Sequence, residues 1–131
     1  MYKVIIPMKL PSCNEYINAC RTNKYMASAL KKKTQADISW YLKKLPKFDK
    51  PVKINFIWIS ERRDRRDLDG ICFAKKFILD ALQECGKISN DNRKHVVGFT
   101  DSFEYGDRYE VRLEIEKMKV FEMGVQDDER R

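Results

Sequence analysis

The sequence predicts an α+β domain, built from a small mixed β-sheet and two main helices in the order β-α-β-α-β-β. Three patterns predict it. Val52, Ile54, Phe56 and Trp58 alternate along residues 52–60. Tyr109, Val111, Leu113 and Ile115 alternate strictly with Glu110, Arg112, Glu114 and Glu116, the period of a strand with one covered face. Two stretches with apolar residues at helical spacing, about 25–44 and 69–85, lie between strands. Helices gathered on a small sheet define this class.

In chain order, residues 2–6 read as a short strand. Pro7 and Pro11 bracket a loop, and Asn14 to Asn23 read as irregular. The first helix runs from about 25 to 44 on Leu30, Ile38, Tyr41, Leu42 and Leu45, with Lys31, Lys32 and Lys33 largely off that stripe and Pro46 as its stop. In Val52 to Ser60, Ile57 and Ile59 add apolar character to the second face, which predicts a central strand covered on both sides. The second helix, about 69–85, buries Ile71, Ala74, Ile78, Ala81, Leu82 and Cys85, and Gly86 is placed to end it. A hairpin then follows, from Val96–Phe103 through a turn at Tyr105-Gly106-Asp107 to the return strand. One domain over residues 1–117 and a tail over 118–131 result. The apolar tail residues Val120, Phe121 and Met123 are available to dock on the domain or on a partner chain.

A chain of 131 residues with 43% apolar content suits one domain with a real core. No segment approaches the roughly 20 apolar residues that span a bilayer. The N-terminus is too short and strand-like for a signal peptide, so a soluble, cytoplasmic protein is expected. Cys13, Cys20, Cys72 and Cys85 form no C-x-x-C pair, and His95 is the single histidine. These spacings argue against a zinc site and for free thiols in a reducing compartment; nothing local supports a Cys–His nucleophile pair. The net charge of +7 is uneven. Residues 1–50 hold 11 basic and 3 acidic residues, residues 51–131 hold 16 and 17. A basic surface in the first third could follow a nucleic-acid backbone, or its lysines could simply solvate a helix.

The most informative stretch is Arg62-Arg63-Asp64-Arg65-Arg66-Asp67-Leu68-Asp69. Carboxylates of this kind can hold a divalent metal, and guanidinium groups can hold phosphate. A site that cuts a polyanion needs both. In an extended segment Asp67 and Asp69 share a face, with Leu68 turned the other way toward the core. Asp69 can also simply cap the next helix, which leaves Asp67 and the arginines unexplained. Lys76 lies seven residues after Asp69, about two helical turns with a drift of about 20°, so it can lean back toward the carboxylates. It can equally pair with Asp80 across one turn. Asp91, in Ser89-Asn90-Asp91-Asn92, reads as a turn residue or as a third carboxylate brought back by the loop or by a partner subunit.

Arg66-Asp67-Leu68-Asp69, then Lys76, then Leu79-Asp80-Ala81-Leu82, then Asn90-Asp91, with an opening strand before Pro7, Pro11, Ser12 and Asn14, resembles the RusA-type crossover junction endodeoxyribonucleases of bacteria and their prophages. The resemblance covers roughly residues 2–117. It implies a RusA-like domain that acts as a homodimer on four-way (Holliday) DNA junctions with Mg²⁺, for which Mn²⁺ can substitute. It implies Asp67, Asp69 and Asp91 as the catalytic, metal-binding acids, and 5′-phosphate and 3′-hydroxyl products. The family pattern places its functional lysine four residues after the second Asp, where this chain has Phe73. Aligned backward from Leu79-Asp80-Ala81-Leu82, the lysine falls on Lys76. Arg62, Arg63, Arg65, Arg66, Lys31, Lys32 and Lys33 are the expected DNA contacts.

Rival expectations are a basic DNA-binding module that does not cut, a structural domain whose acids cap a helix and pair with arginine, and a nuclease for flaps, forks or other branched DNA. Mg²⁺-dependent nicking of a synthetic junction separates the first from a nuclease. DNA affinity at moderate salt separates the second, and a comparison of branched substrates separates the third.

Overall fold

The computed structural model describes residues 1–89 and 95–118. Asp91 and the tail residues Val120, Phe121 and Met123 lie outside the described residues. The elements are β1 (Tyr2–Ile6), α1 (Cys13–Thr22), α2 (Lys24–Leu42), β2 (Val52–Glu61), α3 (Leu68–Cys72), α4 (Lys75–Glu84), β3 (Val96–Gly106) and β4 (Glu110–Lys117). The α+β expectation is met, with each expected helical region carrying an additional break or an additional helix.

The four strands form one mixed sheet in the order β1-β4-β2-β3. β4 is antiparallel to both β1 and β2, and β2 is parallel to β3. The expected hairpin between the last two strands is therefore not formed. β3 and β4 flank β2 on opposite edges, and residues 107–109 cross the end of β2 to join them. The turn composition at Tyr105-Gly106-Asp107 is real, but β2 carries enough apolar surface to take a neighbour on each edge, and that pairing wins.

Alternation places Val4, Ile6, Val52, Ile54, Phe56, Trp58, Val111, Leu113 and Ile115 on one buried face. They share a core with Ile38 and Leu42 of α2 and with Phe77, Ile78 and Leu82 of α4. Each such side chain contributes about 1.5–3 kcal/mol on burial. The opposite face presents exposed Lys3, Ile5, Lys53, Arg112 and Glu116, so helices cover β2 on one side, not two. In the parallel register Phe56 aligns with Asp101, Trp58 with Phe103 and Ser60 with Tyr105, which sets those three β3 side chains on the helix-facing side.

Residues expected to be irregular form α1. Ser12 caps it, its hydroxyl accepting from the Glu15 N–H at 3.3 Å. Asn23 ends α1 and caps α2, its side-chain oxygen accepting from the Met26 N–H at 2.8 Å. The helix expected over 69–85 breaks at Phe73–Ala74 into α3 and α4. The bonds Ala74 N–H to Ile71, Lys76 N–H to Phe73 and Phe77 N–H to Ala74 tighten the chain there, in the i→i+3 pattern of a 3₁₀ turn. Gly86 does end α4. With φ at +72° it donates to the Gln83 carbonyl while Lys87 donates to Leu82, the Schellman arrangement.

Gly106, at the end of β3, faces Ile59 so closely that an added Cβ would lie 2.7 Å from Ile59 Cγ2. Ile59 is 7% exposed and branched at Cβ, so its Cγ2 methyl moves only by a change of a stiff χ1. Gly106→Ala is expected to lower unfolding free energy by about 1–3 kcal/mol, read from the urea midpoint at unchanged slope.

Candidate functional site

The parallel strands β2 and β3 end side by side, with Glu61 aligned to Gly106. Ends of parallel strands are where α/β crossovers leave room for a ligand. The arginine-rich loop begins here. It turns back at once, the Asp64 N–H donating to the Glu61 carbonyl at 3.0 Å.

The loop is held by Arg66. Its Nε donates to both Asp64 oxygens at 3.0 Å, a terminal nitrogen donates to Oδ2 at 2.9 Å, and the other terminal nitrogen donates to the Leu10 carbonyl at 3.2 Å. The pair is well covered, with the Asp64 side chain 4% exposed. The Arg66 hydrogen bond holds the Asp64 carboxyl down at about 2, against a smaller upward push from burial. Arg66 was expected to contact DNA. Its Nε–H and one N–H on each terminal nitrogen donate to Asp64 and Leu10, so it acts as a strut. Asp64, to which the sequence reading gave no role, is its anchor.

The strut ties the segment before α1 to the loop. Tyr16 of α1 adds a second tie, its ring 5.7 Å from both Phe73 and Phe77. Between them opens a cleft of about 300 Å³, whose lining includes Ser12, Asn14, Asp67, Asp69, Cys72 and Phe73. Asp67 occupies the cap position of α3 in an extended conformation, φ −70° and ψ 153°, with no side-chain capping bond. Asp69, the expected cap, lies inside the first turn, and among the described residues its carboxylate accepts only from the Gly70 N–H, at 2.9 Å. Leu68 points away from the carboxylates as expected, but it is 56% exposed and lies outside the core.

The arrangement of ion pairs is unequal. Glu61 pairs with Arg63, Asp64 with Arg66, Asp80 with Lys31, Asp101 with Lys75, and Glu110 with Arg112. Asp67 and Asp69 form none with any described residue, although four arginines lie within the preceding stretch. Among the described residues no set of three His, Cys, Asp or Glu side chains gathers to hold a metal. The described part of the expected triad is these two acids on one cleft.

Lys76 is exposed, and its side chain forms no hydrogen bond or ion pair with a described residue, Asp80 included. The two-turn projection onto Asp69 assumed an unbroken α-helix, and the 3₁₀ turn at Phe73–Ala74 changes its phase. Asp80 reaches α2 instead, accepting from Gln35 at 3.2 Å and pairing with Lys31 at 3.6 Å. Lys31 is thereby half-buried in a groove between α2 and α4, while Lys32 and Lys33 are exposed. Lys75 faces the sheet, 2.6 Å from Asp101 and over the rings of Phe56 and Phe99. Asp101 also accepts from the Trp58 indole N–H at 2.8 Å.

Cys72, half-buried, lines the same cleft as Asp67 and Asp69. Burial pushes its thiol up, the Asp101 charge adds to that, and Lys75 opposes it. Of the remaining arginines, Arg65 is exposed without a partner among the described residues, Arg63 makes a surface pair with Glu61, and Arg62 lies over the Tyr105 ring at 5.7 Å. The sequence reading missed Tyr105, taken for a turn residue, and Asn14. The Ser12-x-x-Glu15 spacing was the available signal for a helix start beside the cleft. No family model matches the chain, and no curated protein matches it.

The Asp64–Arg66 pair predicts a pH signature. A carboxyl depressed on folding contributes stability that is fully present above its unfolded value of 3.8 and is lost as pH falls to about 2. Asp64→Asn is expected to cost about 2 kcal/mol at pH 7. The gap to the unmodified protein should close between about pH 4 and pH 2, measured by urea unfolding across that range.

Proposed function

We propose that this protein is a Mg²⁺-dependent, structure-selective endodeoxyribonuclease that resolves four-way DNA junctions, acting as a homodimer whose two-fold symmetry matches that of the junction. The observation that carries the proposal is the pair Asp67 and Asp69, two carboxylates on one cleft and without cationic partners among the described residues, in a loop rich in arginine. Leaving two like charges uncompensated is unfavourable unless a cation joins them.

The donor set suits Mg²⁺, which keeps several waters and takes one or two carboxylates from the protein. Asp67 and Asp69 would hold it, with the Asn14 side-chain oxygen on the same cleft as a further neutral donor. Asp91 enters this set through the family resemblance alone. When bound, the ion supplies a water of lowered pKa and neutralises charge on the scissile phosphate. Arg62, Arg63 and Arg65 hold flanking phosphates at the rim, and the exposed Lys32 and Lys33 extend the basic surface. Arg66 keeps Asp67 in place by fixing the residue before it. Lys76, whose side chain has no partner among the described residues, remains the lysine that the resemblance assigns to charge stabilisation.

Asp67→Asn is expected to reduce junction cleavage more than about 100-fold, a loss that even an outer-shell partner of a metal ligand can cause, while junction binding is retained. Cleavage with Mg²⁺ at the unmodified rate removes Asp67 from the set, and faster cutting of flaps or forks than of junctions reassigns the substrate.

Arg65 and Arg66 should separate in a second experiment. Arg65→Gln is expected to weaken DNA binding and to reduce the slope of log K against log salt by about 1, with stability unchanged. Arg66→Gln is expected to lower unfolding free energy by about 1.5–3 kcal/mol, the scale of a hydrogen bond to a charged group.

A further inference from the structure

A second cleft, of about 280 Å³, lies on the other side of the Arg66 side chain from the carboxylates. We propose that it receives one unstacked nucleobase of the bound DNA, against the ring of Tyr105. The proposal rests on the reading of the protein as a DNA-binding nuclease and adds a subsite to it.

The size fits a single ring system, since pockets for larger organic ligands run from about 300 to 1,000 Å³. The walls are apolar and flat, from Leu68, Ile71, Phe103 and Tyr105. Leu68 and Tyr105 are 56% and 61% exposed. Neither belongs to the core, and both face this one space. Leu68, the first residue of α3, lines this cleft, while Asp67 and Asp69 on either side of it line the other. A nucleic-acid strand with a phosphate at the acids thus finds a base-sized apolar slot one side chain away.

The polar lining is Ser60, Asp64 and Arg66, which are hydrogen-bonded to one another, and Glu104, which is not. Ser60 is 7% exposed and hydrogen-bonds Asp64, and Glu104 stands at the rim. Glu104 is exposed and forms no ion pair with a described residue. A carboxylate at that position accepts from an exocyclic amine such as that of cytosine or adenine. The Arg62 guanidinium over Tyr105 supplies positive charge for the adjoining phosphate. An aromatic face with cations beside it is the recurrent platform for unpaired bases.

The test uses the full chain, without divalent metal so that the DNA stays intact, and junctions carrying 5-iodouracil at successive positions around the branch point. Irradiation is expected to crosslink one position to Tyr105, identified by mass spectrometry. Tyr105→Ala should abolish that crosslink and weaken junction binding about 5- to 150-fold, the range for loss of one base–aromatic stack. Tyr105→Phe should retain the affinity, which shows that the ring is what matters. Tight binding with no crosslink at Tyr105, or Tyr105→Ala binding like the unmodified protein, overturns the subsite and leaves the nuclease reading standing. Unchanged DNA binding by Tyr105→Ala together with a shift from dimer to monomer in sedimentation assigns the cleft to a subunit contact and also overturns it. No affinity for any DNA at moderate salt overturns both.

Discussion

The guanidinium of Arg66 fixes the geometry of everything around the candidate site. It binds Asp64 two residues behind it and the Leu10 carbonyl 56 residues away in sequence, so the loop after β2 and the segment before α1 are held together by one side chain. The pair is nearly dry, and a charge-assisted, multiply bonded pair in such surroundings is strong only while both partners are present. With the loop pinned, Asp67 enters α3 extended and uncapped, and α1 begins across the cleft from it. The same side chain is the partition between the acidic cleft and the apolar one.

This arrangement divides the labour among chemically similar residues. One arginine and one aspartate of the loop neutralise each other and provide rigidity. The acids that follow have no ion-pair partner among the described residues, and neither has Arg65, which is exposed. A rigid scaffold under a few uncompensated groups is how a ligand site retains its geometry without using those groups to hold itself together. The Lys75–Asp101–Trp58 cluster does the corresponding work at the edge of the sheet. Lys75 and the Trp58 indole both donate to one carboxylate, which satisfies the indole N–H of a residue only 2% exposed.

What could be read from the sequence followed from local rules. The alternation of β2 and β4, the helical stripe of α2, and Gly86 as a stop are each decided within a dozen residues. The failures were decided elsewhere. Tyr105-Gly106-Asp107 has hairpin composition, yet the pairing of β3 depends on the edges of β2, more than forty residues earlier. The break at Phe73 falls where Tyr16, more than fifty residues earlier, packs 5.7 Å from that ring. Asp67 and Asp69 do line a common cleft, but the extended chain expected through both ends at Asp67, and Asp69 lies in the first turn of α3. Which arginine is structural was not legible, because a carbonyl at Leu10 decides it. The turn chemistry around Asp91 lies outside the described residues.

The position of β4 has a consequence for how the molecule is assembled. β4 separates β1 from β2 in the sheet, pairing Tyr2 with Ile115 and Val52 with Lys117. The first strand made therefore has no sheet neighbour until nearly the last described residue has been synthesised. During translation the nascent chain can close β2, the helices and β3, but β1 must wait, its apolar Val4 and Ile6 unsheltered by a strand. Closure across almost the whole chain is a slow, entropically costly step, and it makes completion of the sheet the event that commits the N-terminal segment, and with it the Leu10 carbonyl, to the loop that it braces.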